Sequence, residues 1–233
     1  MTDLEWKPAR SPQRIALEGQ SVSLEPVDPR HARSLYAAAD GAPAIWDYLP
    51  YGPFENREAF SKWVEARAAS EDPLFYALVD RAAGAARGMA SYLRMEPAHG
   101  VIEIGHIWFA PVMQRTRQAT EAIFLMARHA FDDLGYRRLE WKCDSHNAPS
   151  MRAAERFGFV YEGIFRQHMV IKGRNRDTAW YAMTDGDWRL RRAAFEAWLA
   201  PDNFNPAGQQ RQSLSALRAQ IEGEDAPRTS VSH

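Results

Sequence analysis

Hydrophobic and polar positions between residues 101 and 159 predict a strand, a helix, a second strand and a second helix. Residues 102–109 are β-branched or aromatic with little charge, which is typical of a strand buried on both faces. Pro111 ends this strand, and the polar run 114–118 precedes a helix that ends at Gly135. The apolar stripe of that helix consists of Ala119, Ile123, Met126 and Ala130. Residues 137–142 form the next strand, so the segment is a βαβ unit.

The second helix of this stretch begins at Asn-Ala-Pro-Ser, residues 147–150. Asparagine is a favoured helix cap, proline is favoured in a first turn, and Gly158 is placed to end the helix. Ligands of βαβ units bind beyond the carboxyl ends of the strands. The pattern therefore predicts a binding site at residues 111–120, where the chain leaves the first strand.

Residues 111–120 have the features of an anion site. The first N–H groups of a helix have no partner inside the helix, and they attract phosphate together with the positive end of the helix dipole. Arg115 and Arg117 are predicted to add cationic donors. A solvated helix start has the same polar, basic composition, so both interpretations stay open on this pattern alone.

The remaining chain places further strands and helices around this unit. Strands are predicted at 15–24, 74–79, 89–95, 161–171 and 178–184, and helices at 31–39, 57–69, 188–199 and 214–221, with Asp185 as a cap. Prolines interrupt the aromatic segment 41–54, whose side chains therefore either fill a crevice or line one. Helix 214–221 is predicted to pack on its own domain or to mediate a homodimer.

Several motifs resemble one enzyme family. QRTRQA (114–119) after a strand resembles the pyrophosphate-binding Q/R-x-x-G-x-G/A loop of the GNAT acyl-CoA N-acyltransferases. NAPSMRAAERFGF (147–159), followed by Glu162 and Gly163, resembles the N-x-x-S…G-F…E-G signature of their RimJ/RimL-like branch. With WDYLPYGPF, DPLFYALVD, IEIGHIWF and FRQHMVIKGRNRDTAWYAM, the resemblance covers residues 13–205.

The resemblance implies an α/β (α+β) fold. We expect a mixed, mostly antiparallel, twisted central sheet with one splayed parallel strand pair and flanking helices. Residues 13–205 are expected to form the acyltransferase domain, residues 1–12 a loosely ordered N-terminal segment, and residues 206–233 a C-terminal helix and disordered tail.

The resemblance also implies that an acetyl or other short acyl group, such as succinyl, moves from acyl-CoA to a primary amine by direct attack in a ternary complex. Acetyl-CoA or succinyl-CoA is the implied co-substrate, and no metal is expected. The residues implied to contact the acyl-CoA are Ile107, Trp108, Phe109, Gln114, Arg115, Thr116, Arg117, Gln118, Ala119, Thr120, Asn147 and Ser150. The implied acceptor contacts are Trp46, Tyr48, Tyr51 and Phe54.

The amine must lose a proton, so the reaction needs a base or a water chain. Glu103 and His106 are the candidates, and strict alternation along the strand places them on opposite faces. Glu103 ranks first, although a carboxylate paired with an arginine and a structural histidine are the alternative interpretations. Glu162 and His168 are weaker candidates. Ser150 is expected to hydrogen-bond the departing thiolate, or else to bond backbone in the first helical turn.

Two positions depart from the family pattern. Arg117 replaces the middle glycine of the loop, and Ala154 stands where many members carry a tyrosine that protonates the thiolate. A RimL-like enzyme carries a serine instead, and Ser150 is the matching residue. These departures support a second hypothesis, a catalytically impaired regulatory protein that binds CoA thioesters. The acceptor stays open between a protein amine, a polyamine and a small amine.

Composition narrows the function classes. A net charge of −1 argues against a general nucleic-acid binder, which is usually strongly basic. No apolar run approaches the ~20 residues of a membrane span, and the first residues lack the basic start of a signal peptide. The single cysteine, Cys143, excludes an internal disulfide and fits a reducing compartment, so we expect a cytoplasmic protein. We interpret its thiol as a core group.

Overall fold

The computed structural model describes residues 5–225 of the chain. Within them, one sheet contains β1 (Leu17–Glu18), β2 (Val22–Pro26), β3 (Leu74–Asp80), β4 (Ala85–Glu96), β5 (Val101–Phe109), β6 (Arg138–Asp144), β7 (Val160–Ile171) and β8 (Arg174–Thr184). The α-helices around it are α1 (Ala32–Ala39), α2 (Arg57–Ala68), α3 (Arg117–Arg128), α4 (Ala148–Phe157), α5 (Asp185–Leu199) and α6 (Leu214–Asp225). No helix in this part of the chain is long and apolar enough to cross a lipid bilayer.

The strands lie in the order β1-β2-β3-β4-β5-β6-β8-β7. All neighbours are antiparallel except β5 and β6, which are parallel and joined through α3. Pairing within this parallel pair spans only residues 101–103 and 138–140, after which the two strands separate. The predicted βαβ unit and the mixed sheet with one splayed parallel pair are therefore confirmed.

Alternating side chains divide the interior into two apolar layers, one on each face of the sheet. The layer under α3, α4 and α5 includes Tyr92 and Ile104. The layer under α1 and α2 includes Phe75 and Trp108. The central strands thus contribute to both layers, as predicted for strands buried on both faces.

α3 is buried from Ala119 to Ala127, which is broader than the predicted stripe. The buried carboxylate of Glu121 accepts hydrogen bonds from the N–H groups of Gln20 (2.6 Å) and Ser21 (2.7 Å). A buried carboxylate requires hydrogen-bond donors, and here the donors are backbone N–H groups of the turn between β1 and β2. Glu121 therefore holds this turn in place. The single strand predicted at 15–24 is therefore wrong, and the segment forms two strands around this turn.

Capping explains where two helices begin. The Thr116 hydroxyl accepts the N–H of Ala119, so α3 begins at Arg117, near the end of the polar run. Thr184 caps α5 in a capping box with Asp187, which corrects the prediction that Asp185 is the cap.

α6 packs on its own domain, which is the first of the two predicted arrangements. Leu214 and Leu217 are buried, and Arg218 donates to the carbonyls of Glu155 and Arg156 at the end of α4. These carbonyls have no partner inside α4. The helix extends to Asp225, while residues 226–233 of the predicted tail lie outside the described residues, as do residues 1–4.

The described part of the N-terminal segment, residues 5–12, contains no helix or strand. Its backbone is nevertheless bonded to the domain. The N–H groups of Ala9 and Arg10 donate to the carbonyls of Pro97 (3.0 Å) and Leu134 (2.9 Å).

Candidate active site at the open strand pair

β5 and β6 are not hydrogen-bonded to each other beyond Glu103 and Glu140. The starts of α3 and α4 follow the carboxyl ends of these two strands on one face. The aromatic segment 41–54 and the bulged part of β5 belong to the other face. The opening between the strands is therefore the place where groups from both faces come together, as expected for a βαβ unit.

The turn between β5 and α3 presents backbone N–H groups. Two of its amides donate to the carbonyl of Ala110, which closes the turn. Arg115 has φ +60°, and a left-handed residue after a right-handed one directs successive N–H groups to one side. The N–H groups of Arg115, Arg117 and Gln118 have no acceptor within residues 5–225. Free N–H groups at the positive end of a helix are the feature from which an anion site was predicted here, and anion binding itself stays a prediction.

The two arginine side chains of this turn differ in position. Arg115 is exposed. Arg117 lies on the ring of Phe204, 5.1 Å from its centroid, and donates to the carbonyl of Leu199. The C-terminal segment thus holds part of the Arg117 guanidinium, and its predicted role as a cationic donor stays a prediction. Arg117 is the first residue of α3, so its backbone does not require the missing glycine.

Other polar side chains of the turn bond within the domain. Gln114 Nε2 donates to the carbonyl of Phe109 (3.1 Å). The Thr120 hydroxyl donates to the carbonyl of Thr116 (3.3 Å) and accepts from Arg156 (3.1 Å). These bonds fix the conformation that exposes the free N–H groups.

Asn147 and Ser150 open α4, as predicted. Asn147 Oδ1 accepts the N–H of Ser150 (3.2 Å), which is a capping bond, and its Nδ2 has no partner among the described residues. Ser150 Oγ accepts a hydrogen bond from Trp141 Nε1 (3.0 Å). The Ser150 hydroxyl therefore keeps its own hydrogen for another acceptor.

Cys143 in β6 and Ala154 in α4 are both buried in the same apolar layer, as the core interpretation of the thiol predicts. Burial raises the pKa of Cys143, and the Ser150 hydroxyl lowers it in smaller part through a hydrogen bond.

β5 contains a bulge at His106. This residue has φ +52°, and the register with β4 shifts so that His106 and Ile107 lie opposite Ala90 alone. The extra residue of the bulge shifts by one position the alternation of β5 side chains between the two faces of the sheet. The prediction that Glu103 and His106 lie on opposite faces is therefore wrong, and both lie on the face under α1 and α2.

His106 is buried between aromatic rings. Its ring centroid lies 5.6 Å from that of Tyr51, in a stacked arrangement, and 5.1 Å from that of Phe75. Burial, and in smaller part nearby positive charges, lower the pKa of His106 to about 4. Those charges belong to Arg67, Arg94 and Arg176. At neutral pH the imidazole is uncharged, and its nitrogens have no hydrogen-bond partner in the described part of the chain.

Glu103 is held by two cations. Its Oε2 lies 2.6 Å from Arg94 Nη1 and 3.0 Å from Lys142 Nζ. Lys142 also lies over the ring of Trp180, 3.8 Å from the centroid. This arrangement corresponds to the alternative interpretation of Glu103, a carboxylate paired with an arginine.

The chain of charges continues along β6 to β7. Lys142 Nζ lies 2.6 Å from Glu140, and Arg138 bridges Glu140 (2.7 Å) to Glu162 (2.5 Å). The hydrogen bond from Arg138 lowers the pKa of Glu162, which is thus a paired carboxylate. His168 Nδ1 lies 2.9 Å from the hydroxyl of Thr178.

Trp46 and Phe54 fill a crevice, which is the first predicted use of the aromatic segment. Their ring centroids lie 5.4 Å apart, edge to face, and both rings pack on Phe60. Gly52 allows this packing, because it has φ +65° and a Cβ there would lie 2.7 Å from the Trp46 ring.

For Tyr48 and Tyr51, the lining of an acceptor crevice stays a prediction. The Tyr51 hydroxyl is buried and has no hydrogen-bond partner within residues 5–225. Tyr48 donates to the carbonyl of His146 (3.1 Å), and Lys172 donates to the carbonyl of Trp46 (2.8 Å). These bonds join segment 41–54 to the β6–α4 loop and to the β7–β8 hairpin.

Three residues of the site were not predicted from the sequence: Arg94, Lys142 and Trp141. An isolated charge within a buried strand indicates a paired charge, so Arg94 and Lys142 had a usable signal. Trp141 had none, because its partner Ser150 belongs to another element. No group of His, Cys, Asp or Glu side chains in the described ranges is arranged to hold a metal ion.

Known proteins are similar to this chain in sequence and in fold. The family described as the acetyltransferase (GNAT) domain matches residues 21–160. A Bacillus subtilis (strain 168) protein named "Putative ribosomal N-acetyltransferase YdaF" is 27% identical over 105 residues, which are 45% of this chain and 57% of that protein. This chain therefore spans little more than half of that relative.

Two solved structures extend the likeness to most of the chain. A GCN5-related N-acetyltransferase from Brucella melitensis is 47% identical, with a TM-score of 0.90, over 92% of this chain and 99% of that one. A GNAT-family structure from Chromobacterium violaceum ATCC 12472 is also 47% identical, with a TM-score of 0.76, over 81% and 96%. The family match spans more than half of the chain, including the β5–α3 turn and the start of α4. The chain therefore belongs to the GNAT acetyltransferase family, as its RimJ/RimL-like motifs predict.

Proposed function

We propose that this protein transfers an acyl group from acyl-CoA to a primary amine by direct attack in a ternary complex. One observation carries the proposal: the free N–H groups before α3 and the uncharged His106 flank the same opening of the sheet. A thioester from the α3 side and an amine from the α1–α2 side then meet there without a covalent enzyme intermediate. Membership of the GNAT family supports this reaction class.

The thioester is held by backbone and amide donors. Its pyrophosphate binds the N–H groups of Arg115, Arg117 and Gln118, and the exposed Arg115 side chain adds charge. Asn147 Nδ2 donates to the pantetheine arm. Backbone N–H groups at 107–109 polarise the thioester carbonyl, and donors of this type are worth about 3 kcal/mol in acyl transfer.

The amine must attack in its neutral form. The positive charges that lower the pKa of His106 lower the pKa of a bound ammonium in the same direction, because both cations lie in the same field. As the nitrogen attacks it becomes positive and acidic, and His106 accepts its proton. Glu103 stays in its ion pairs and holds Arg94 and Lys142 in place.

The CoA group leaves as a thiolate. The Ser150 hydroxyl donates a hydrogen bond to it, and Trp141 fixes the position of the serine oxygen. The thiolate then takes a proton from solvent, and the imidazolium of His106 releases its proton to solvent, so the products are an amide and the CoA thiol. In this proposal Ser150 stabilises charge and does not itself act as an acid, since a hydroxyl is a poor acid at neutral pH.

Thermal unfolding with free CoA, acetyl-CoA and succinyl-CoA tests the binding step. A ligand at about a hundred times its Kd stabilises a protein by ~2.7 kcal/mol. If none of the three raises the midpoint, the anion-site interpretation and the proposal both fail. If thioesters bind but transfer to a broad panel of amines and peptides is absent, the protein is a CoA-binding regulator.

Ser150→Ala tests the departing-thiolate step. We expect turnover to fall about tenfold, the loss of one charge-assisted hydrogen bond, with thioester affinity unchanged. Ser215→Ala is the matched control, because Ser215 is an exposed serine of α6. Equal turnover in both variants would remove Ser150 from the mechanism.

A further inference from the structure

Two arginines beside His106 have no carboxylate partner. Arg67 lies in the last turn of α2 and Arg176 lies in β8, and both are partly buried. Arg94 and Lys142, on the same face, are paired with Glu103. Within residues 5–225, no carboxylate oxygen lies within 4.0 Å of the Arg67 or Arg176 guanidinium. A desolvated charge without a partner is costly, so these two groups call for an anion.

The unpartnered donors extend beyond the two charges. The Nε atoms of Arg67 and Arg176 are buried without an acceptor, and so are the Tyr51 hydroxyl and Trp180 Nε1. All four belong to the face under α1 and α2, and all four are donors. A ligand that satisfies them must supply oxygen or other acceptor atoms and negative charge.

Contacts place Arg67 beside the bulge, and strand geometry places Arg176 on the same face of the sheet. The Arg67 guanidinium lies 5.8 Å from the Phe75 ring centroid, and Phe75 packs on His106 at 5.1 Å. Stacking on Trp63, at 5.6 Å, also holds Arg67 in position. Arg176 lies on the same face of the sheet as Trp180, because the two residues are four positions apart in the regular strand β8. Burial lowers the pKa values of His106 and His168, and the positive charge of Arg176 contributes to both shifts.

We infer that Arg67 and Arg176 bind a carboxylate group of the substrate beside the reacting atoms. The inference rests on the acyl transfer proposed above. A guanidinium presents parallel donors that match the two oxygens of a carboxylate. The carboxylate belongs either to a dicarboxylic acyl chain such as succinyl or to an acceptor that carries both an amine and an acid.

Arg67→Met and Arg176→Met remove the charge and keep most of the apolar stem. Arg174→Met is the matched control, since Arg174 is an exposed arginine of the same strand as Arg176. Circular dichroism checks that each variant folds. The first measurement is the Kd of succinyl-CoA and of acetyl-CoA by calorimetry. If the acyl chain supplies the carboxylate, the wild type binds succinyl-CoA about tenfold tighter, and both variants bring the ratio to about one.

The second measurement compares kcat/KM for an amino acid and for its carboxamide, with acetyl-CoA as donor. If the acceptor supplies the carboxylate, the wild type prefers the acid by about tenfold, and both variants lose the preference. Arg174→Met keeps whichever preference the wild type has. The arm that shows the preference identifies the source of the carboxylate.

Wild-type ratios of about one in both arms would overturn the inference while acyl transfer stands. The inference would also be overturned if the Arg67→Met and Arg176→Met variants kept the preference ratios of the wild type. If no CoA thioester binds, the proposed function fails instead. In that case the carboxylate site is tested by thermal unfolding in succinate and in chloride at equal ionic strength. If the site exists, succinate raises the unfolding temperature of the wild type, and Arg176→Met removes this increase.

Discussion

Lys142 is a buried cation between two buried carboxylates, and Lys142→Met tests how much this ion chain stabilises the fold. The exposed fraction of the Lys142 side chain is 5%, and those of Glu103 and Glu140 are 4% and 9%. Lys142 Nζ lies 3.0 Å from the first carboxylate and 2.6 Å from the second. Methionine fills most of the space of the lysine side chain but carries no charge. The Glu103 and Glu140 carboxylates therefore lose the cation that lies between them.

The magnitude follows from what remains. Removing one partner of a buried ion pair costs about 3–5 kcal/mol. Glu103 keeps Arg94 at 2.6 Å and Glu140 keeps Arg138 at 2.7 Å, so we expect the lower end, about 3 kcal/mol. In a domain of this size such a loss lowers Tm by about 6–12 °C.

Urea unfolding at pH 7, followed by circular dichroism, measures the loss. Lys62→Met is the control, since Lys62 Nζ lies 2.7 Å from Glu58 but the two side chains are 72% and 77% exposed. The control is expected to lose less than about 0.5 kcal/mol. Glu140→Gln combined with Lys142→Met should be more stable than Lys142→Met alone, because Glu140 would otherwise share its one remaining cation, Arg138, with Glu162. Equal losses for the two lysines would refute the reasoning.

Further predictions concern single groups. Trp141→Phe removes the hydrogen-bond donor to Ser150, so the free energy of unfolding should fall by about 1 kcal/mol. Turnover should also fall, at constant KM for acyl-CoA, and unchanged turnover would contradict the role of Trp141 in positioning Ser150. The folded pKa of His106, about 4, lies below its ordinary 6.5, so the unfolded state takes up the proton first and stability falls as pH drops from 6.5 to 4. Urea unfolding of His106→Gln should show a shallower fall across that window, and an identical fall argues against the lowered pKa. Glu121→Gln should cost about 2–3 kcal/mol, since a neutral amide replaces the carboxylate that accepts the amides of the β1–β2 turn, and an unchanged urea midpoint contradicts this.

Local patterns predicted the elements whose signals are local. The βαβ unit, the free N–H groups after β5 and the start of α4 follow from periodicity, a cap and a proline within a few residues of each other. The bulge at His106 had no such signal, because the residues around it also fit a regular strand. A left-handed histidine is held by its packing on Tyr51 and Phe75, which come from distant parts of the chain.

Side-chain partners were the least predictable part of the site. The contacts of the Arg117 side chain with Leu199 and Phe204, which lie more than eighty residues further along the chain, had no signal in the sequence. The sequence indicated that Glu103 needed a partner without showing that it has both Arg94 and Lys142. Such pairings depend on how strands align across the sheet, which one sequence does not specify.

The contact of Arg117 with Leu199 joins residues that are 82 positions apart. The bond ties the start of α3 to the end of α5, two parts of the chain that helix geometry alone leaves independent. Coupling between two sites is reciprocal, so an anion that orders residues 115–118 in the proposed site is expected also to slow amide hydrogen exchange at residues 199–204. Under the proposed function, the affinity for acyl-CoA would then depend partly on the C-terminal segment.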